Sequence, residues 1–207
     1  YRDQHSKLLI ADDGSVELRW KKSGEIKEVV KARRRLQEIA FAAWRVGDPG
    51  VQYDDTIQRW HTCPNSGRIL ATNPCAEYIF LDDTACNLGS LNLLAFADGQ
   101  GNFDTGRFRR AVATVMIAHD IANDSAGYPI RDIALVSPEF RTTGVGFANL
   151  GALLMRQGVP YDSPRARAFA GAVTAVMTGA AYEASAMLAE KQGQFVHFNF
   201  NRSPMLD

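Results

Sequence analysis

The chain has 207 residues, 46% of them hydrophobic and 22% charged, a balance that suits a globular domain, or a large piece of one, with a buried core. Its formal net charge of +0 excludes a global field that recruits nucleic acid or an anionic membrane. Three cysteines exclude a disulfide scaffold, and no apolar run approaches transmembrane length. Reduced thiols in a cytoplasmic setting are therefore the default expectation. The opening Tyr1-Arg2-Asp3-Gln4-His5 does not have the pattern of a signal peptide and does not begin with Met, so a fragment of a longer chain is expected.

Residues 1–25 are polar and turn-rich. Lys7-Leu8-Leu9-Ile10-Ala11 and Ser15-Val16-Glu17-Leu18-Arg19-Trp20 read as short strands around an Asp12-Asp13-Gly14 turn. Lys21-Lys22 and Arg33-Arg34-Arg35 are basic clusters, the second read as a solvated helix face. From 26 to 46, Val29, Val30, Leu36, Ile39, Ala40 and Ala43 recur at helical spacing, and Gly47 fits the stop of that helix. Asp48-Pro49-Gly50 is a turn, and 51–71 is loop-rich. Asp54-Asp55 suits a helix cap or a solvated pair better than a metal site. His61-x-Cys63 offers only two of the four ligands a structural zinc usually takes, so a packed loop is the better reading.

Residues 78–82 are strand-like, and 85–93 form a second strand that feeds a short helix near 94–97. Asp98-Gly99-Gln100-Gly101-Asn102 is a turn. Asp104 or Thr105 caps a long helix to about Asn123, with Phe108, Val112, Val115, Met116 and Ile121 as its apolar positions. Residues 141–147 read as a buried strand and 149–157 as a helix. Gly144-x-Gly146 followed by Gly151 is not a dinucleotide loop, because the third glycine comes too late. Ser163-Pro164 starts a helix that runs to Gln192 and stops at Gly193. Its stripe is Phe169, Val173, Val176, Met177 and Met187, and small residues such as Gly171, Gly179, Ala180 and Ala184 predict close packing. Residues 194–200 read as one more strand. Strands alternating with long helices argue an α/β fold.

The chemistry concentrates in Asn73-Pro74-Cys75-Ala76-Glu77 and in Cys86-Asn87-Leu88-Gly89-Ser90-Leu91-Asn92. Pro74 disfavours a helical Asn73. In extended backbone, Asn73, Cys75 and Glu77 would point to one side and converge on a small volume. That volume would hold an amide, a sulfur and a carboxylate base. Taken singly, a cysteine is usually a small buried hydrophobe and Asn-Pro a turn.

Together and in this order, these words resemble the finger loop and following strand of ribonucleotide reductases. The run from Gly47-Asp48-Pro49-Gly50, through Trp60-His61-Thr62-Cys63-Pro64-Asn65-Ser66-Gly67, to Leu81-Asp82-Asp83-Thr84-Ala85-Cys86 is similar to the adenosylcobalamin-dependent class. Thr143-Gly144-Val145-Gly146-Phe147-Ala148-Asn149-Leu150-Gly151 fits that class too. The resemblance implies part of a ten-stranded α/β barrel whose finger loop threads the centre. Residues 26–207 would be a central portion of that catalytic domain, and 1–25 match poorly.

The resemblance also implies roles. Cys75 would carry a thiyl radical that takes hydrogen from C3′ of a ribonucleotide. Glu77 would be the base for the 3′-hydroxyl. Asn73 would hydrogen-bond the substrate, and Cys86 would be one of two reducing thiols. The cofactor would be adenosylcobalamin, whose cobalt–carbon bond supplies the radical. Expected partners are the ribonucleotide and a thioredoxin-type reductant, with a homodimer as the expected assembly.

The chain departs from the family pattern in one respect that bears on mechanism: no cysteine precedes Cys63, whereas the family's other reducing thiol lies well upstream of the finger loop. The family's phosphate loop, allosteric loops and C-terminal cysteine pair have no match here either. Two other readings stand beside the lead. One is the large subunit of an iron-dependent reductase, which shares the chemistry of Cys75, Glu77 and Cys86. The other is a non-catalytic structural or binding fragment derived from a reductase.

Overall fold

The computed structural model describes residues 9–20 and 23–207. They fall into two compact units, divided between His61 and Thr62.

In the first unit, strand β1 (Ser15–Arg19) pairs antiparallel with β2 (Ile26–Lys31), with Val16 opposite Val30. Two expectations are corrected here. The helix expected from residue 26 begins only at Ala32, because β-branched Ile26, Val29 and Val30 favour a strand. Of the strand expected at 7–11, Lys7 and Leu8 lie outside the described residues, and Ile10 makes only an isolated bridge to Val16. Lys21-Lys22 also lie outside the described residues.

Helix α1 (Ala32–Val46) ends where expected. Gly47 takes the left-handed conformation, with φ of 83°, and its N–H bonds Ala43 O at 2.8 Å. Arg34 and Arg35 both pair with Glu38, at 3.2 and 2.8 Å, which is a solvated helix face. A short helix α2 (Asp54–Arg59) interrupts the region read as loop. It carries Asp54 and Asp55 in its first turn, where carboxylates offset the positive end of the helix.

The second unit holds the larger core. Strands β3 (Asn87–Asn92) and β4 (Thr143–Ala148) run parallel, with Asn87 opposite Thr143 and Asn92 opposite Ala148. A parallel pair needs a long crossover, and residues 93–142 supply it. The crossover opens with a 3-10 turn at Leu93–Phe96, then helix α3 (Thr105–Ser125), whose first turn is capped by Asp104 accepting from the Arg107 N–H at 2.8 Å. Helix α4 (Arg131–Phe140) follows, and the sequence does not signal it, because Pro138 in its last turn reads as a breaker.

Helices α5 (Leu150–Arg156), α6 (Pro164–Gln192) and α7 (Phe198–Leu206) complete the unit. α6 starts and stops as expected, with Ser163 accepting from the Ala166 N–H at 3.1 Å. α3 packs on both strands and on α6. Between them lies a core of Leu93, Phe96, Phe108, Val112, Leu153, Val173, Met177 and Ala180. The close packing expected of the small residues holds at Ala180 and Ala184, which are buried. It fails at Gly171 and Gly179, which face open space.

Residues 78–82 form no strand, although Leu81 is buried against Cys63 and Phe140. Nor do residues 194–200. Phe195 and Phe198 alternate poorly but meet edge-to-face at 5.7 Å, the spacing of a helical turn entering α7. The strands form two separate two-stranded sheets. Among the described residues there is no closed barrel, and four strands cannot supply the ten that the resemblance implies. What holds is the α/β character and one parallel pair. No described helix is long and apolar enough to cross a membrane.

Phe108 is fully buried and meets Phe96 and Phe103 edge-to-face at 5.2 and 5.3 Å. Phe108→Ala is expected to cost about 3–5 kcal/mol in chemical denaturation. Ile121→Ala, on the same helix but 61% exposed, should stay within about 0.5 kcal/mol.

Candidate active site

The segment from Asn73 to Tyr78 is a tight turn rather than the extended strand expected from Asn73-Pro74. Ala76 N–H bonds Asn73 O at 3.0 Å, which puts Pro74 and Cys75 at the two corners. Ala76 takes the left-handed conformation, with φ of 61°. Asn73 N–H then reaches Tyr78 O at 3.3 Å. The Tyr78 N–H donates to the Asn73 side-chain oxygen at 3.0 Å. A backbone N–H needs an acceptor, so this bond fixes the orientation of the amide and leaves its NH₂ group as donor. Cys75 sits exposed at the tip, with Glu77 exposed two residues on. Asn73, Cys75 and Glu77 thus stand along one tight turn and not on one face of a strand.

Cys86 stands immediately before β3 and is half-buried. The pleat then divides the strand between two faces. Asn87 and Gly89 face α3: Asn87 donates to the Asn123 oxygen at 3.1 Å, and a Cβ on Gly89 would lie 2.8 Å from His119 Nε2. Leu88 and Ser90 point to the other face, where Leu88 is 65% exposed. On β4 the residues beside them are Gly144 and Gly146. A Cβ on Gly144 would collide with the Leu88 side chain and lie 3.1 Å from Cys86 Sγ. A Cβ on Gly146 would lie 3.2 Å from Ser90 Oγ. The two glycines keep this face flat and leave room for the thiol. The sequence signal for them was present, since Gly-x-Gly in a strand puts both glycines on one face. Ser137 and Thr142, which bond the peptide before Cys86, carried no such signal because their partners are 52 to 64 residues away in sequence.

Two hydroxyl side chains hold the residue before Cys86. Ser137 Oγ accepts from the Ala85 N–H at 3.0 Å, and the Thr142 hydroxyl donates to Ala85 O. Electrostatics act on the thiol as well. Burial is the larger reason that the Cys86 thiol is pushed up, and the Glu77 carboxylate adds to it. Burial likewise pushes up the Tyr78 phenol, against hydrogen bonds to Thr142 and Thr84. Burial pushes His119 down, toward the neutral form. Cys63 is buried in an apolar cluster and its thiol is also pushed up by that burial. Among the described residues, no group of three or more His, Cys, Asp or Glu side chains could hold a metal ion.

Glu77→Gln removes a negative charge that disfavours the Cys86 thiolate, so Cys86 should ionise at lower pH. The thiolate is the species alkylated. At one mildly alkaline pH, iodoacetamide should therefore label Cys86 faster in Glu77→Gln than in the wild type, with Cys63 unchanged, as read by mass spectrometry. An unchanged Cys86 rate would remove Glu77 from its surroundings.

Comparison with known proteins gives this geometry a family. The family described as "Ribonucleotide reductase, barrel domain" matches residues 14–207. A vitamin B12-dependent ribonucleotide reductase of Rhodopirellula baltica is 52% identical over 175 residues, covering 84% of this chain and 17% of that protein. One of Streptomyces clavuligerus is 50% identical over 191 residues, covering 90% of this chain and 20% of that protein. A vitamin B12-dependent ribonucleoside-diphosphate reductase of Mycobacterium tuberculosis is 36% identical over 182 residues, covering 87% of this chain and 26% of that protein. The chain therefore spans about a fifth of the length of the first two relatives. The chain belongs to the ribonucleotide reductase family, as sequence of its barrel domain.

Proposed function

We propose that this chain carries the finger loop and one reducing thiol of a radical ribonucleotide reductase that uses adenosylcobalamin and makes deoxyribonucleotides for DNA synthesis. The observation that carries the reading is the exposed Cys75 at the tip of a turn, two residues from the exposed Glu77, with a second thiol beside the sheet face that carries the exposed Leu88. The B12-dependent names of the relatives support the cofactor. Residues 26–207 are read as a central portion of the catalytic barrel, whose remaining strands come from outside this chain. A ribonucleotide substrate, a thioredoxin-type reductant, a homodimer and a cytoplasmic location belong to the same reading.

The residues present suit such chemistry. When bound, adenosylcobalamin supplies a carbon radical by homolysis of its cobalt–carbon bond. Cys75 fits as the group that meets it, because an exposed S–H at a turn tip is open to abstraction. The Cys75 sulfur radical then takes the hydrogen from C3′ of the ribose. Glu77 accepts the 3′-hydroxyl proton as the 2′-hydroxyl, protonated by one of the reducing thiols, leaves as water, and Glu77 gives that proton back to O3′ at the end of the turnover. The fixed NH₂ group of Asn73 donates to a substrate oxygen and orients the ring. Cys86 and a second thiol from outside this chain deliver two electrons and two protons and end as a disulfide. Cys75 finally returns its hydrogen to C3′. The missing side chains of Gly144 and Gly146 make room for Leu88, the Cys86 sulfur and Ser90 on the face that would meet the sugar.

In the full-length protein, Cys75→Ser should abolish deoxyribonucleotide formation while leaving thermal unfolding unchanged, because an alcohol O–H bond is too strong to give a useful radical. Turnover near wild type would overturn the radical assignment. Glu77→Gln should lower turnover by ~10²–10⁴-fold with substrate affinity retained. Lost affinity at unchanged turnover would make Glu77 a binding residue only. Reduction that proceeds equally without adenosylcobalamin would remove the cofactor from the reading.

A further inference from the structure

We propose that Tyr78 is a positioning residue whose hydroxyl clamps the Cys75 turn to the starts of both strands of the parallel pair, and so fixes Cys75 and Glu77 relative to Cys86. The proposal rests on the reductase reading above for its effect on turnover, and on geometry alone for the clamp.

Tyr78 closes the turn with its own backbone. Its N–H goes to the Asn73 side chain and its carbonyl accepts the Asn73 N–H. The phenol is therefore tied to the turn at its base. Its hydroxyl lies 2.7 Å from Thr84 Oγ1, two residues before Cys86. It also lies 2.9 Å from Thr142 Oγ1, one residue before β4. These partners are 6 and 64 residues away in sequence.

Counting protons assigns the roles. The Thr84 hydroxyl donates to Leu81 O at 2.6 Å, and the Thr142 hydroxyl donates to Ala85 O. Both threonine protons are committed, so the phenol is the donor and its single proton serves two oxygens. Thr142 then links the phenol to the peptide that precedes Cys86. Ser137 grips that same peptide from α4, accepting from the Ala85 N–H at 3.0 Å and donating to Ala85 O at 3.4 Å. The thiol is thus held at its backbone by two side chains, one of them joined through Tyr78 to the turn that carries Cys75. The ring itself stands 6.4 Å from Phe80, so a phenylalanine at this position keeps the ring contact and loses only the clamp.

The test uses the full-length enzyme with Tyr78→Phe, Thr142→Val and the double variant. Tyr78→Phe should lower kcat by ~10–10²-fold, the scale of a misplacement of about an ångström, with KM unchanged. The double variant should lose less than the product of the two single losses, because both remove the one shared bond while each also removes a bond of its own, Tyr78 to Thr84 and Thr142 to Ala85 O. Iodoacetamide should label Cys86 faster in Tyr78→Phe, while buried Cys63 serves as an internal control and keeps its wild-type rate. Unchanged kcat, losses that multiply in the double variant, or equal acceleration at Cys63 and Cys86 would each overturn the clamp. Should the wild type make no deoxyribonucleotide, the reductase reading fails and the labelling of Cys86 against Cys63 still decides the clamp by itself.

Discussion

The parallel pairing of β3 and β4 is the constraint from which the rest of the larger unit follows. Parallel neighbours cannot be joined by a hairpin, so residues 93–142 must leave the sheet and return. α3 lies in that crossover and covers one face, where Phe108, Val112 and Met116 are buried. α6 packs on α3 in turn, so the hydrophobic core lies on one side of the sheet only. The other face is left to Leu88, Ser90, Gly144 and Gly146, and Cys86 opens onto its edge. One topological requirement therefore gives one face of the sheet to the core and leaves the other, beside Cys86, to the chemistry proposed above.

The return of the crossover is fixed by charge. Arg141 stands in the left-handed conformation at the end of α4, with φ of 53°. Its guanidinium reaches back to α3, to Asp120 at 2.7 Å and Asp124 at 2.6 Å. The two carboxylates are one helical turn apart, so a single planar fork can serve both. The hydrogen bond from Arg141 is the larger reason that the Asp124 carboxyl is held below the usual range. Thr142 follows at once and donates to Ala85 O. The ion triad thus sets the start of β4, and with it the place from which Gly144 and Thr142 act on Cys86.

Much of this was legible in the sequence, for identifiable reasons. Ser163-Pro164, Gly193, Gly47 and Asp104 carry local capping chemistry, and the helices they bound begin or end there. The strand at β3 and the one at β4 also showed in local pattern. Readings failed where the determining partner is distant or where a local signal misleads. Residues 26–31 look helical until β1 pairs with them, and α4 is masked by Pro138. In 194–200, a short aromatic-rich run reads as a strand, yet Asn201, fully buried and bonded to the Asn65 N–H at 3.0 Å and Ser66 Oγ at 2.7 Å, anchors a helix there. At the site, the residue types were visible but their arrangement was not. Asn73-Pro74 suggested extension, and only the bonds from Asn73 to Tyr78 show the turn.

The state of Cys86 separates the chemistries open to it. Nucleophilic and metal-binding cysteines sit in electropositive surroundings that lower the thiol pKa. Cys86 is in the opposite setting: burial and the Glu77 carboxylate both push its thiol up, and no cluster of metal ligands stands around it among the described residues. A thiol so placed keeps its proton. That suits a group that delivers hydrogen and electrons together, as the proposed reduction requires, and it is a poor setting for a nucleophile. In the proposed reading the same carboxylate has two parts: it adds to the effect of burial on the Cys86 thiol, and it stands exposed two residues from Cys75, where a base for the substrate is required.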